Sequence, residues 1–116
     1  MELKDKVISV HDEVMPRIGS LKTYQKELLE RANQMESSDE AIDNHIAIQE
    51  LRSAAHSCEE AYDNMFVWMR QFKSEYSDMT EEEVEKYLTD QLKKIEKVRK
   101  DVDDSMHEAD SLLSRY

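Results

Sequence analysis

The sequence predicts an all-α fold, three long helices packed up-down-up in one antiparallel bundle, and three observations predict it. One Gly and one Pro among 116 residues leave few places for the chain to reverse, so its elements must be few and long. Apolar residues recur at alternating three- and four-residue steps in three consecutive stretches, the spacing of a helix face that meets partner helices. The chain is rich in Glu, Lys, Leu, Met, Gln and Ala, which favour helix over strand. A single domain spanning 1–116 is expected, because a chain of this length buries roughly 65% of the surface it exposes when unfolded.

Helix 1 is expected from about Leu3 to Met35, with an apolar seam of Leu3, Val7, Val10, Val14, Ile18, Leu21, Gln25, Leu28, Ala32 and Met35. The step from Val14 to Ile18 is four where three is due, a stutter that shifts the stripe locally. Pro16 lies in that step. An interior proline removes the hydrogen bond to the carbonyl of Asp12 and crowds that turn, so a kink is expected near residues 12–16, with Gly19 adding local freedom. A break that divides the helix is the competing expectation.

Helix 2 is expected to begin after a capping box of Ser37 with Glu40. Its seam runs Ala41, Asn44, Ile48, Leu51, Ala55, Cys58, Tyr62, Met65, Met69, Phe72 and Tyr76. Only Ser77, Asp78 and Met79 then separate it from helix 3, and connections that short make neighbouring helices antiparallel. Helix 3 has the clearest start. Thr80 with Glu83 forms a capping box, Met79 and Val84 are spaced for a hydrophobic staple, and Glu81, Glu82 and Glu83 face the positive end of the helix dipole. Its seam is Val84, Leu88, Gln91, Ile95, Val98, Val102, Ser105, Ala109, Leu112 and Tyr116.

Acidic residues outnumber basic ones 27 to 16, for a formal charge of −11. Such a surface repels phosphate backbones and anionic headgroups, so nucleic acid and membrane surfaces are not expected partners. A protein partner or self-association is. No stretch approaches the roughly 18 apolar residues of a membrane span, so no direct insertion is expected, and Met1-Glu2-Leu3-Lys4-Asp5-Lys6 contains no secretory signal. On the sequence as it stands, the expected location is therefore the cytoplasm. The single Cys58 excludes an intramolecular disulfide and any Cys-rich metal site.

Candidate functional residues gather at two ends of the expected bundle. At the Pro16 end, Ile8, His11 and Met15 make a second stripe on helix 1, and Phe66, Val67 and Trp68 flank Met65 and Met69 on helix 2. A surface of Ile8, His11, Met15, Trp68 and Met69 is the expected partner-binding site. The alternative for Trp68 is that it caps the core. At the opposite end Ile42 and Ile46 stand one helical turn apart off the seam, near Leu29 and Leu113, which suggests a partner or dimer contact.

Two metal sets deserve naming. His45, Asp104 and His107 fall at about one level of the bundle, and His11, Met15 and Met69 offer imidazole and thioether ligands suited to monovalent copper. Against both, histidines on an acidic helix surface and methionines in an irregular core are ordinary. Nucleophilic catalysis is not expected: Ser57 and His56 are helical neighbours on different faces, and Cys58 lies on the core seam. One glycine rules out a phosphate-cradling loop, so no cofactor is expected.

The segment His11-Asp12-Glu13-Val14-Met15-Pro16-Arg17-Ile18-Gly19, taken with Met65-Phe66-Val67-Trp68-Met69-Arg70-Gln71-Phe72, resembles the small helical lipoproteins of Bacteroidetes labelled viral A-type inclusion protein homologues. That group has no assigned activity to carry over. The resemblance implies a location in the bacterial cell envelope, reached through an export signal and a lipid-modified cysteine. Neither is present in this sequence, so an anchor would belong to a longer precursor. The expected function is a non-catalytic interaction or structural module of the envelope, with a metal-binding or metal-sensing bundle as the alternative.

Overall fold

A computed structural model describes residues 2–116, and these form three α-helices: α1 (Glu2–Glu36), α2 (His45–Gln71) and α3 (Glu81–Arg115). Each packs against the other two, in a rod of 65 × 19 × 17 Å.

Cross-helix contacts fix the directions. Between α1 and α2, Lys4 meets Ser74 just beyond the end of α2, Gln25 meets Glu59 and Asn33 meets Arg52, one index rising as the other falls. Between α2 and α3, Gln71 meets Gln91, Cys58 meets Ser105 and Glu50 meets Arg115 in the same descending sense. Glu13 with Arg99 and Arg17 with Asp103 run in step, so α1 and α3 are parallel. The topology is up-down-up.

α1 runs unbroken through Pro16, so the competing expectation, a break that divides the helix, is not met. Pro16 and Asp12 are both exposed, which places the hydrogen bond that proline deletes on the solvent side of the helix. The buried face of α1 is Val7, Val10, Val14, Ile18, Leu21, Leu28 and Ala32, every one a predicted seam position. On α3 the buried residues are the predicted seam from Val84 to Leu112 without exception. Its start is also as predicted: Glu83 N–H donates to Thr80 Oγ1 at 3.1 Å, and Thr80 N–H donates to Glu83 Oε1 at 3.0 Å.

α2 departs from expectation at both ends. It begins at His45, not after Ser37, and the Ser37–Glu40 box does not form. Ser38 acts instead, its hydroxyl donating to the carbonyl of Met35 at 2.7 Å and accepting from Glu40 N–H at 3.3 Å. This closes α1 and commits residues 39–44 to turns. At its other end α2 stops at Gln71, because Phe72 takes extended backbone angles (φ −68°, ψ 121°). The connections therefore span 37–44 and 72–80, longer than the near-direct turns expected.

The buried stripe of α2 also sits one position round from the predicted seam in its second half. Ala61 and Trp68 are buried, while Tyr62 is half-buried and Met69 is 37% exposed. Most of the stripe is small: Ala47, Ala54, Ala55, Cys58 and Ala61. Small side chains let α2 nest closely against the leucines of its neighbours, whereas Met65 and Trp68 fill the Pro16 end with bulk.

Candidate functional site

Aromatic side chains converge at the Pro16 end, where the start of α1, the end of α2 and the start of α3 meet. Trp68 stacks on Phe72 (centroids 4.9 Å apart, planes at 22°) and lies 6.0 Å from the ring of His11. Phe72 continues to Tyr87 at 6.2 Å, and Tyr87 to Tyr76 at 6.0 Å. Lys4 Nζ stands 5.4 Å over the Tyr76 ring and donates to the carbonyl of Ser74 at 3.2 Å. Offset and tilted ring pairs each add about 0.5–1.5 kcal/mol beyond their area burial. The cluster thus holds the 72–80 connection against both α1 and α3, and Lys73 N–H donates to Tyr87 Oη at 2.6 Å as part of it.

Trp68 is 5% exposed and belongs to this packed cluster, so it forms the floor of the end and not its surface. The physical reason is its place on α2, seven residues after buried Ala61 and three after buried Met65. Its indole Nε1 is buried without a hydrogen-bond partner, as is the hydroxyl of Tyr76. Burial, then the neighbouring Tyr87, raises the Tyr76 phenol above its ordinary pKa.

The other predicted contact residues do lie at the surface or its margin. Ile8 and Met69 are each 37% exposed, and His11 and Met15 are half-buried, Met15 packing against the core. The register that pairs Lys4 with Ser74 and His11 with Trp68 sets Met69 level with the turn between Ile8 and His11. Met69 follows Tyr62 by seven residues, and the Tyr62 ring carries Lys22 of α1 at 4.4 Å, so Met69 shares the face of α2 turned to α1. An apolar strip of Ile8, His11, Met15 and Met69 thus runs along the outer α1–α2 seam. His11 Nδ1 lies 3.0 Å from Asp12 Oδ1. Tyr87 is the member of this end that sequence reasoning missed; its signal was the three-residue spacing from Val84.

On the far side of Trp68, the groove between α2 and α3 holds a cavity of about 330 Å³ lined by Val67, Trp68 and Val98. Its ammonium groups are already matched, Lys94 with Asp90 and Lys97 with Asp101.

The opposite end presents Ile42, 87% exposed, and Ile46, 60% exposed, with Leu29 at 37%. The His45, Asp104 and His107 set does not come together. All three are exposed, Asp104 pairs with Lys100 at 2.6 Å, and His45 Nδ1 lies 3.0 Å from the carbonyl of Ile42. Among the described residues no group of three or more His, Cys, Asp or Glu is placed to hold a metal ion.

Side chains with nucleophilic potential are otherwise engaged. Ser57 Oγ donates to the carbonyl of Ser53, and His56 Nε2 meets Glu60 at 2.9 Å. Cys58 is fully buried, and burial, then the charge of Glu108, pushes its thiol up to about 11, which leaves it protonated and unreactive at neutral pH. No helix among the described residues is long and apolar enough to cross a membrane. The chain matches no protein-family model, no curated protein and no solved structure.

Proposed function

We propose that this chain is a non-catalytic interaction module that receives a protein partner along the strip of Ile8, His11, Met15 and Met69, over the aromatic floor made by Trp68 and Phe72. One observation carries the reading. Large apolar side chains, Ile8 and Met69, remain partly in water at the end of the rod where Trp68 stacks on Phe72. Exposed apolar anchors beside a packed aromatic cluster lose little freedom when a partner docks. The engaged states of Ser57, His56 and Cys58 support a non-catalytic role. The setting we propose, the bacterial cell envelope, rests on the resemblance of the His11–Gly19 and Met65–Phe72 segments.

The test is site-specific photocrosslinking in the native cell. A photoreactive residue is placed at Ile8 or Met69, and at Glu96, an exposed position near the middle of α3, the helix that carries no part of the strip. Discrete adducts at Ile8 and Met69, absent at Glu96 and lost when Met15 is changed to Glu, are expected. Adducts at all three positions, or at none, would reject the reading.

A further inference from the structure

We infer that the connection between α1 and α2 is a second docking surface, at the end of the rod away from the aromatic cluster, and that its occupant is a basic protein segment carrying apolar anchors. Ile42 and Ile46 are the two most exposed large apolar side chains among the described residues, at 87% and 60%. They stand about one turn apart, since Asn44 N–H already bonds to the carbonyl of Glu40 and Ile48 N–H to that of Asn44. Two isoleucines so spaced present one apolar ridge.

Charge around the ridge selects the partner. From Glu36 to Glu50 the chain carries Glu36, Asp39, Glu40, Asp43 and Glu50 and no Lys or Arg. Glu36 is paired with Arg52, and Glu50 with Arg115 at 3.6 Å. Asp39, Glu40 and Asp43, which bracket Ile42, take part in no ion pair among the described residues. Elsewhere cations are interleaved closely enough to form the pairs along α3 and between α1 and α3. An apolar ridge rimmed by unmatched carboxylates attracts lysine or arginine side chains and repels like charge. A second copy of this chain is therefore the wrong occupant: face to face it would set acidic rim against acidic rim, on two molecules of charge −11 each. The inference is independent of the strip at the other end.

The experiment uses the intact chain and three labelled synthetic peptides: a Leu/Lys peptide with leucines at helical spacing, a Ser/Lys peptide of equal charge, and a Leu/Glu peptide. Fluorescence anisotropy is expected to show binding of the Leu/Lys peptide that weakens with added salt, weaker binding of the Ser/Lys peptide and none of the Leu/Glu peptide. Ile42→Ser with Ile46→Ser, and separately Asp39→Asn with Glu40→Gln and Asp43→Asn, should each weaken Leu/Lys binding roughly tenfold or more, the scale of a lost anchor. Ile8→Ser with Met69→Ser should leave it unchanged. The isoleucines are exposed, so an unaltered melting temperature shows that the first variant is folded. Equal binding of the Leu/Lys and Ser/Lys peptides, or indifference to the Ile42 and Ile46 changes, would overturn the inference. So would a concentration-dependent dimer that those changes abolish.

Discussion

Gln91, buried in the core face of α3, and Gln71, the last residue of α2, exchange two side-chain hydrogen bonds. Gln71 Nε2 donates to Gln91 Oε1 at 2.8 Å, and Gln91 Nε2 donates to Gln71 Oε1 at 3.4 Å. Gln71 Nε2 also donates to the carbonyl of Trp68 at 3.1 Å, so the pair closes the end of α2 and sets its level against α3 at once. Gln91 is only 2% exposed, and a buried amide without a partner costs about 1–3 kcal/mol. Gln71→Ala, which strands the Gln91 amide, is expected to lower the unfolding free energy by about that amount. Replacing both residues by Leu is expected to be nearly neutral, because no polar group is then stranded. Urea denaturation of Gln71→Leu, Gln91→Leu and the double leucine variant measures the coupling directly.

Trp68 should prove a core residue by energetics as well as by position. Trp68→Ala is expected to cost about 3–5 kcal/mol, and the aromatic contacts to Phe72 and His11 go with it. Trp68→Phe should cost less, since it also removes the indole N–H that is buried without a partner. A loss within about 0.5 kcal/mol for the alanine variant, as at ordinary surface sites, would contradict the placement.

What could be read from the sequence, and what could not, divides at the ends of α2. The α3 seam and its Thr80–Glu83 cap depend on residues within one turn of each other, and local spacing reports them. Ser37 and Ser38 compete for one role, and only the geometry at Met35 decides in favour of Ser38. The early stop at Gln71 is a tertiary effect. Phe72 and Tyr76 leave the helix to pack on Tyr87, and Tyr87 Oη accepts the N–H that Lys73 would otherwise have given to a fourth-preceding carbonyl. That partner stands fourteen residues away, beyond the reach of any periodicity argument. Trp68 and Met69 exchanged roles because a helix between two others buries a stripe wider than one seam, and adjacent positions on its edge are separated only by packing.

Stability should fall in mild alkali through Cys58. Its folded-state thiol is raised from 9.0 to about 11, so the unfolded chain loses the proton first as pH rises. The contribution is full below pH 9 and vanishes as pH passes about 11, a loss on the order of 2–3 kcal/mol. Tyr24, raised by burial and then by Asp110, and Tyr76, raised by burial and then by Tyr87, add to the same slope. Cys58→Ala is expected to flatten the decline between pH 9 and 11 without abolishing it, and a slope unchanged by that substitution would exclude Cys58 as its source. At neutral pH a thiol-reactive dye should label Cys58 only as fast as the bundle opens.

The two ion pairs between α1 and α3 are a check on parallel register. Glu13 with Arg99 and Arg17 with Asp103 place opposite charges four residues apart on each helix. Partly exposed pairs are individually weak, about 0.2–1 kcal/mol. Arg17→Glu is expected to destabilise by roughly that much and to set a glutamate against Asp103, whereas Arg17→Glu with Asp103→Arg should be more stable than the sum of the two single changes allows, although like charges then stand four residues apart on each helix. A cycle with no coupling would mean that the two side chains do not meet.

Pro16 offers the sharpest separation of folding from function. It lies inside a continuous helix, exposed, without a backbone N–H to give the carbonyl of Asp12. Alanine there would complete the ladder and lose no packed side chain. Proline in a helix interior is disfavoured by up to about 3 kcal/mol relative to alanine, so Pro16→Ala is expected to raise the melting temperature. Yet Pro16 directly follows Met15 and lies two turns beyond Ile8, on the segment of α1 that carries the apolar strip. If the proline shapes that strip, the same variant should be more stable and give fewer crosslinks from Ile8 and Met69. Greater stability with undiminished crosslinking would assign Pro16 no part in partner docking, and lower stability would show that the helix is built around the missing hydrogen bond.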